Sequence, residues 1–436
     1  MRTLVINAGS SSTKVSVLEG NNTLFAKSLP PAADTSVMDT ITELVNRFRP
    51  EATGHRIVHG GPKYVAPLLV TREMDAELAR LAELAPLHNP PALSLLNTVM
   101  QHYPAIPAVA CFDTTFFASL PHYSATYAIP DEWREHWNIR RYGFHGLSHS
   151  WASRQGAKLI GRPLNSLRIV TAHLGSGASL AAIAYGTVVD TTMGFTPLEG
   201  LIMGTRSGTL DPGILTFIMR NEHLSPNELE DILEHQSGLT ALAGTADLHN
   251  VIQRYQQGDE RATRAWKVYL HRLQTSIGSM VVACGGIDLL VFTGGAGERS
   301  ALLRNETCEG LNFLGLSIDP ELNDLTEPSS YSGFIPQKDI PDTSNEGHEK
   351  VTIEGATMHE GTIIEGTIIS ATPLATSLEN SPKHPLSSVS SESMSSESVS
   401  SEASPDFRRT GGLPAVAVVH AREDIEIAQQ VELVLK

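Results

Sequence analysis

The chain has 436 residues, of which 41% are hydrophobic, with a mean hydropathy of −0.09 and a formal net charge of −16 at pH 7. That length suits two or three domains of ordinary globular composition. The acidic balance excludes nucleic acid as a partner, because neutralising phosphates takes concentrated lysine and arginine, and no apolar run approaches the roughly twenty residues that a membrane span requires.

Leu4-Val5-Ile6 reads as a buried strand that empties into Asn7-Ala8-Gly9-Ser10-Ser11-Ser12-Thr13, after which Lys14-Val15-Ser16-Val17-Leu18 resumes a strand pattern. Met1-Arg2 leads straight into this strand, so no secretory leader is expected. In such a hairpin Gly9 lets an anion approach the backbone, Asn7, Ser10 and Ser12 supply donors, and Lys14 adds a cation. The spacing of a Walker-type loop is missing, and a Ser-Gly hairpin turn is by itself an ordinary element.

Further along, the apolar run Val109-Ala110-Cys111-Phe112 ends at Asp113. Leu167 to Leu174 repeats the opening logic, breaking at Gly175-Ser176-Gly177-Ala178-Ser179 before Leu180-Ala181-Ala182-Ile183. Ser225-Pro226-Asn227-Glu228 is a capping box with proline at the first helical position. Residues 261–282 read as a long helix whose Trp266, Tyr269, Leu270 and Leu273 recur at helical spacing, as core or subunit-interface packing would require. A third glycine turn, Thr293-Gly294-Gly295-Ala296-Gly297-Glu298, follows the buried strand Leu289-Leu290-Val291-Phe292. The last strand, Ala415 to Val419, precedes a helix lined by Ile425, Ala428, Val431 and Val434. Cys111, Cys284 and Cys308 are odd in number and sit in apolar surroundings, as reduced thiols of a cytoplasmic protein do.

Two phosphate-sized hairpins and a late Gly-Gly turn resemble the actin, sugar kinase and heat-shock ATPase superfamily. The fold this implies is α/β, with two duplicated RNase H-like domains clasping a nucleotide cleft. Within it the chain resembles the acetate kinase family. The resemblance rests on residues 7–14, on Gly54-His55-Arg56-Ile57-Val58-His59-Gly60-Gly61, on Ala85-Pro86-Leu87-His88-Asn89-Pro90-Pro91 and on Phe112-Asp113-Thr114. It continues through Arg141-Tyr142-Gly143-Phe144-His145-Gly146-Leu147-Ser148-His149, residues 193–200 and Met203-Gly204-Thr205-Arg206-Ser207-Gly208, in family order to about residue 323.

That resemblance implies reversible, magnesium-dependent transfer of the ATP γ-phosphoryl group to acetate, with manganese as an alternative ion, in a homodimer whose subunits pair through the second domain. It places one domain at 1–113 closed by 424–436, and a second at 114–423 holding adenosine. The family would pass quickly from Asn323 to its last strand, so residues 325–411 read as an atypical insertion. Within it, 354–369 is a near-repeat suited to a small hairpin, and the serine-rich part, 376–405, is expected to be disordered.

Phosphoryl transfer between two anions is mostly positioning and cationic stabilisation. Arg56 and Arg206 suit a carboxylate clamp, since guanidinium forks are planar and permanently charged, although a lone arginine is more often a surface charge. His145 is the candidate donor to the transferring group. His145 and His149 at i, i+4 could instead make a metal pair, and His173, expected beside the β or γ phosphate, could be a satisfied core histidine. The resemblance assigns the nucleotide to Lys14, Ser10, Ser12, His173, Leu174, Gly175, Ser176 and Gly177, and to Gly294, Gly295, Ala296, Gly297 and Glu298. It puts Asp113 near magnesium or Arg206, and assigns metal binding to Asn7 and Glu423. It lines the acetate methyl pocket with Val58, Leu87, Phe144 and Pro197, beside Arg56. Ser176 stands where the family usually has asparagine, and Ala421-Arg422 where it has Thr-Asn. Rival readings are a propionate or butyrate kinase, an actin-like nucleotide-binding protein without catalysis, and a kinase inactivated by the insertion.

Overall fold

The alternation at the N-terminus becomes an antiparallel meander of β1 (Arg2–Ala8), β2 (Thr13–Glu19) and β3 (Asn22–Leu29), with Asn7 opposite Lys14. The computed structural model describes residues 1–9, 12–86, 88–325, 358–359, 362–363, 366–370 and 413–436. β4 (Ala52–Ile57), β5 (Leu68–Leu69) and β6 (Ala108–Phe112) complete a six-stranded sheet in the order β3-β2-β1-β4-β6-β5. Here β1, β4 and β6 run parallel, and β5 closes the edge antiparallel.

The second sheet starts with β7 (Arg168–Leu174), β8 (Ala178–Ala184), β9 (Thr187–Thr191) and β10 (Leu289–Thr293). β11 (Met358–His359) and β12 (Thr362–Ile363) form a separate antiparallel ladder, the small hairpin expected there. β13 (Gly366–Ile368) and β14 (Ala415–Val419) return to the sheet, whose order is β13-β14-β10-β7-β8-β9. From β9 inward the pairings run antiparallel, antiparallel, parallel, parallel, antiparallel, the same series as from β3 in the first sheet. The expected duplication is therefore present in strand order and direction.

This symmetry corrects one boundary. β13 fills the edge that β5 fills in the first sheet, Ile369 is fully buried, Asp319 N donates to Ile369 O at 2.8 Å, and Ser370 bridges Ile318. Residues 366–370 are thus sheet and core rather than part of an appended loop, because β14 would otherwise leave a backbone edge unpaired. The serine-rich stretch expected to be disordered lies outside the described residues.

The expected long helix is Glu260–Ala283, capped by Asp259, whose carboxylate accepts from Ala262 N, and it buries Trp266, Tyr269 and Leu273 in the core of the second sheet. The Ser225–Glu228 capping box is formed. The three cysteines are buried and unbridged, and burial pushes their thiols up. Thr293 to Glu298 departs from expectation. It is the short helix Gly294–Arg299 rather than a turn, and it can start there because Gly294 takes φ +77°, where a Cβ would lie 3.0 Å from the Leu174 backbone.

Two helices join the halves. Gly146–Leu159 packs on β7, β10 and β14, while the C-terminal helix Glu423–Leu435 crosses β1, β4 and β6. Gly54 permits that crossing, since a Cβ there would lie 2.6 Å from Ile427 Cγ2. The helices are tied to each other by Glu426, 4% exposed, which accepts from Ser150 Oγ and pairs with Arg154.

Candidate active site

The ends of β1, β4 and β6 lie side by side, so their last residues face one space. Arg56, on β4 opposite Cys111 of β6, donates Nη2 to Asp113 Oδ2 at 2.6 Å and Nε to Asp113 Oδ1 at 2.9 Å. Its remaining Nη1 donates to Asn7 Oδ1 at 3.1 Å, and Asn7 Nδ2 donates to Glu423 Oε2 at 2.7 Å. Glu423 opens the C-terminal helix, where a carboxylate complements the helix dipole. Burial works against the charge on Arg56, but Asp113 and Glu423 outweigh it and hold the guanidinium above its ordinary value. Burial likewise opposes ionisation of Glu423, yet Arg56, Lys14 and the Asn7 amide hold its carboxyl below the usual range. Burial pushes Asp113 up, with Arg56 opposing, and the two-point contact is that of a carboxylate.

Asp113, expected near magnesium or Arg206, is paired in the structure with Arg56, because sheet order sets β6 beside β4. Arg206 instead donates Nη1 to Pro197 O at 3.1 Å and lies 3.3 Å from Glu234. Its loop is fastened to the β7–β8 hairpin by Gly204 N donating to Ser176 O at 3.1 Å. A Cβ at Gly177 would lie 3.2 Å from His145 Nε2 and 3.6 Å from Arg206 Nη2, so these groups surround the Gly175–Gly177 backbone.

His145 caps the helix Gly146–Leu159 with φ +56°. Gly146 N donates to Asp113 O at 3.1 Å, and a Cβ at Gly146 would lie 2.0 Å from that oxygen, so the two halves touch at this point. His145 stacks on His173 with centroids 4.4 Å apart, and His173 Nδ1 is 2.8 Å from Ser148 Oγ. Both ring nitrogens of His149 are engaged, with Thr171 Oγ1 at 2.7 Å and Ser179 Oγ at 2.8 Å, which disposes of the i, i+4 metal pair. Burial holds His145, His149 and His173 below their ordinary value, so all three are neutral at pH 7.

Among the remaining expected residues, Lys14 acts electrostatically on Glu423 and His173, and Gly9 N donates to Ser12 O at 2.9 Å across the first turn. Leu174 is buried against Gly294, and Ala296 packs on the core while Gly295 and Gly297 stay on the same short helix. Glu298 accepts from Ala421 N at 2.9 Å and is 3.0 Å from His420 Nδ1, which ties that helix to the chain before Glu423. Arg422 pairs with Asp424, so Ala421-Arg422 makes local contacts of its own. Val58 and Phe144 share one buried cluster, with His59 edge-on to Phe144 at 5.3 Å. Ser10 and Leu87 lie outside the described residues.

Sequence reasoning passed over His88 and Glu234. His88 falls to about 4, first through burial and then through the charges of Arg206 and Arg56, which places it in their field. The position of His88 inside Ala85 to Pro91 was its only signal, and Glu234 had none.

The donor set suits a hard cation. Asn7 and Glu423 offer oxygen atoms of the kind a hard cation takes, Glu423 has a described hydrogen bond on Oε2 alone, and no cluster of three His, Cys, Asp or Glu side chains occurs among the described residues.

The model of the acetokinase family matches residues 31–343. The chain belongs to the acetokinase family. An acetate kinase of a Nostoc species is 48% identical over 290 residues, covering 66% of this chain and 70% of that relative. The crystal structure of the Porphyromonas gingivalis acetate kinase superposes with a TM-score of 0.74 at 29% identity over 100% of both chains. That of a Francisella tularensis propionate kinase gives 0.75 at 28% identity over 98% of each.

Proposed function

We propose that this acetokinase transfers the γ-phosphoryl group of ATP reversibly to acetate, giving acetyl phosphate and ADP by direct in-line displacement. The observation that carries the reading is the convergence of groups from both halves: the Glu423–Asn7–Arg56–Asp113 chain from the first sheet, and His145, Gly177 and Arg206 around the second hairpin.

Arg56 would hold the acetate carboxylate, its fork aimed by Asp113 and Asn7. Arg206 would neutralise charge building on the equatorial oxygens, steadied by Pro197 O and Glu234. His145, neutral, would donate Nε2–H to the transferring group, and the Gly175–Gly177 backbone would cradle the phosphates. Lys14 and the Ser12 turn would take the other phosphate side, and Gly294–Arg299 would meet adenosine. Asn7 and Glu423 would hold magnesium, whose positive charge would offset that of the phosphates. Val58, Phe144, Pro197 and Leu87 would enclose the methyl group.

Residues 1–113 with 424–436 form one proposed domain and 114–423 the other. A homodimer through the second domain is supported by Ile214 and Phe217, 47% and 57% exposed on the helix Pro212–Glu222. No described helix is long and apolar enough to cross a membrane, and a cytoplasmic location accords with three unbridged cysteines. The likeness to a propionate kinase keeps propionate as the second reading. ADP release measured with acetate, propionate and butyrate separates them: acetate is expected to give the highest kcat/KM, and one extra methylene to lower it about 10–200-fold.

A further inference from the structure

Ser179 Oγ lies 2.8 Å from both His145 Nδ1 and His149 Nε2, and His149 Nδ1 lies 2.7 Å from Thr171 Oγ1. Thr171, His149 and Ser179 are fully buried. The topology makes this line. Ser179 is paired with His173 across β7 and β8, and Thr171 lies two residues before His173, so all three share one face of the sheet. The helix Gly146–Leu159 lies against that face and brings His149 down one turn after His145.

Proton counting restricts what this line can do. A neutral imidazole has one N–H and one acceptor nitrogen, and each hydroxyl has a single hydrogen. Ser179 can donate to only one of its two histidines and must accept from the other. In one arrangement Thr171 donates to His149 Nδ1, His149 Nε2–H donates to Ser179, and Ser179 donates to His145 Nδ1. In the other every bond reverses, and the Thr171 hydroxyl, now accepting from His149, needs a second acceptor for its own hydrogen. Among the described residues neither Thr171 Oγ1 nor Ser179 Oγ has another hydrogen-bond partner. The reversed arrangement therefore buries an unmatched donor and is disfavoured roughly ten- to hundred-fold.

We propose that Thr171, His149 and Ser179 are positioning residues that lock His145 into the tautomer carrying its proton on Nε2, the nitrogen beside Gly177. A phosphoryl oxygen is an acceptor only, so the reversed tautomer would set a lone pair against it. The consequence for rate rests on the phosphoryl-transfer reading above, whereas the tautomer does not. Thr171, Ser179 and His149 make no contact with substrate in this account and act through His145.

The test is nitrogen-15 NMR of the histidine-labelled full chain without substrate, with the His145 signals assigned by their loss in His145→Gln. The expected result is a protonated Nε2 and an unprotonated, hydrogen-bonded Nδ1. A proton on Nδ1 of His145 in the native chain overturns the proposal without any variant having to fold. Ser179→Ala and Thr171→Val should then yield mixed tautomers and lower kcat about ten-fold, with KM for ATP within about two-fold, while Thr171→Ser restores both readouts. A tautomer unchanged in both Ser179→Ala and Thr171→Val refutes the lock. If the native tautomer is as stated but acetate elicits no ADP release, the lock stands and the proposed function fails.

Discussion

Arg56 and Asp113 are joined by two hydrogen bonds, 2.6 and 2.9 Å long, with side chains 13% and 1% exposed. The pair arises from adjacent strand ends, so the guanidinium is aimed before any substrate arrives. Asp113→Asn should keep the shape while removing the charge that holds Arg56. We expect kcat/KM for acetate to fall by about 10²-fold, and chemical denaturation to show a loss of about 3 kcal/mol from a buried cation deprived of its directly bonded counter-charge. An unchanged acetate KM in Asp113→Asn would show that Arg56 does not need its partner.

Arg56→Lys should rescue little, because a point charge on a flexible stem cannot make both Asp113 bonds and the Asn7 bond at once. Steady-state kinetics should place it within about ten-fold of Arg56→Ala. Near-native kcat in either variant would remove Arg56 from the clamp.

His145→Ala is expected to lower kcat by about 10²-fold or more and to change KM for ATP less, since its donor is assigned to the transferring group. A change confined to KM would reassign His145 to ground-state binding.

Several histidines are buried in neutral form: burial lowers His55 to about 3 and His59 to about 4, and burial with nearby arginines lowers His88 to about 4. Above pH 6.5 both the folded and unfolded chains leave them neutral. Below it the unfolded chain takes up protons first, so stability is lost as pH falls from 6.5 toward 4, by about 1.4 kcal/mol per unit for each histidine. Urea midpoints measured across that range should fall steadily, and a flat profile would contradict the burial of these rings.

Two linker replacements discriminate the revised boundary in the second sheet. Joining Ser370 to Leu413 keeps β13, and should preserve folding and activity because closure entropy changes slowly with loop length. Joining Leu325 to Leu413 removes β13 and the fully buried Ile369, and should lower stability by at least about 2 kcal/mol. Equal melting temperatures for the two would return residues 366–370 to the status of an appendage.

Much of this architecture was legible because local pattern and long-range fold agree. The two Gly-Ser hairpins read directly from alternation, and the long helix from the spacing of Trp266, Tyr269 and Leu273. The edge strand β13 was not, since Gly-Thr-Ile-Ile occurs twice, at 361–364 and 366–369, and only pairing with β14 selects the second copy. Gly294 looked like a turn because glycine runs punctuate chains. Its positive φ against the Leu174 backbone starts a helix instead, and that contact comes from a strand more than a hundred residues away. The site residues were recognisable individually, but not their partners: nothing in the sequence chooses between Arg56 and Arg206 for Asp113, which the neighbouring positions of β4 and β6 decide.

The central claim is most directly tested by trapping acyl phosphate as its hydroxamate after incubating the chain with ATP, magnesium and acetate, beside the folded Arg206→Ala variant. Acetyl hydroxamate is expected in step with ADP, reduced about 10²–10³-fold in the variant. ADP formed without acyl phosphate, or equal product from both proteins, would contradict it.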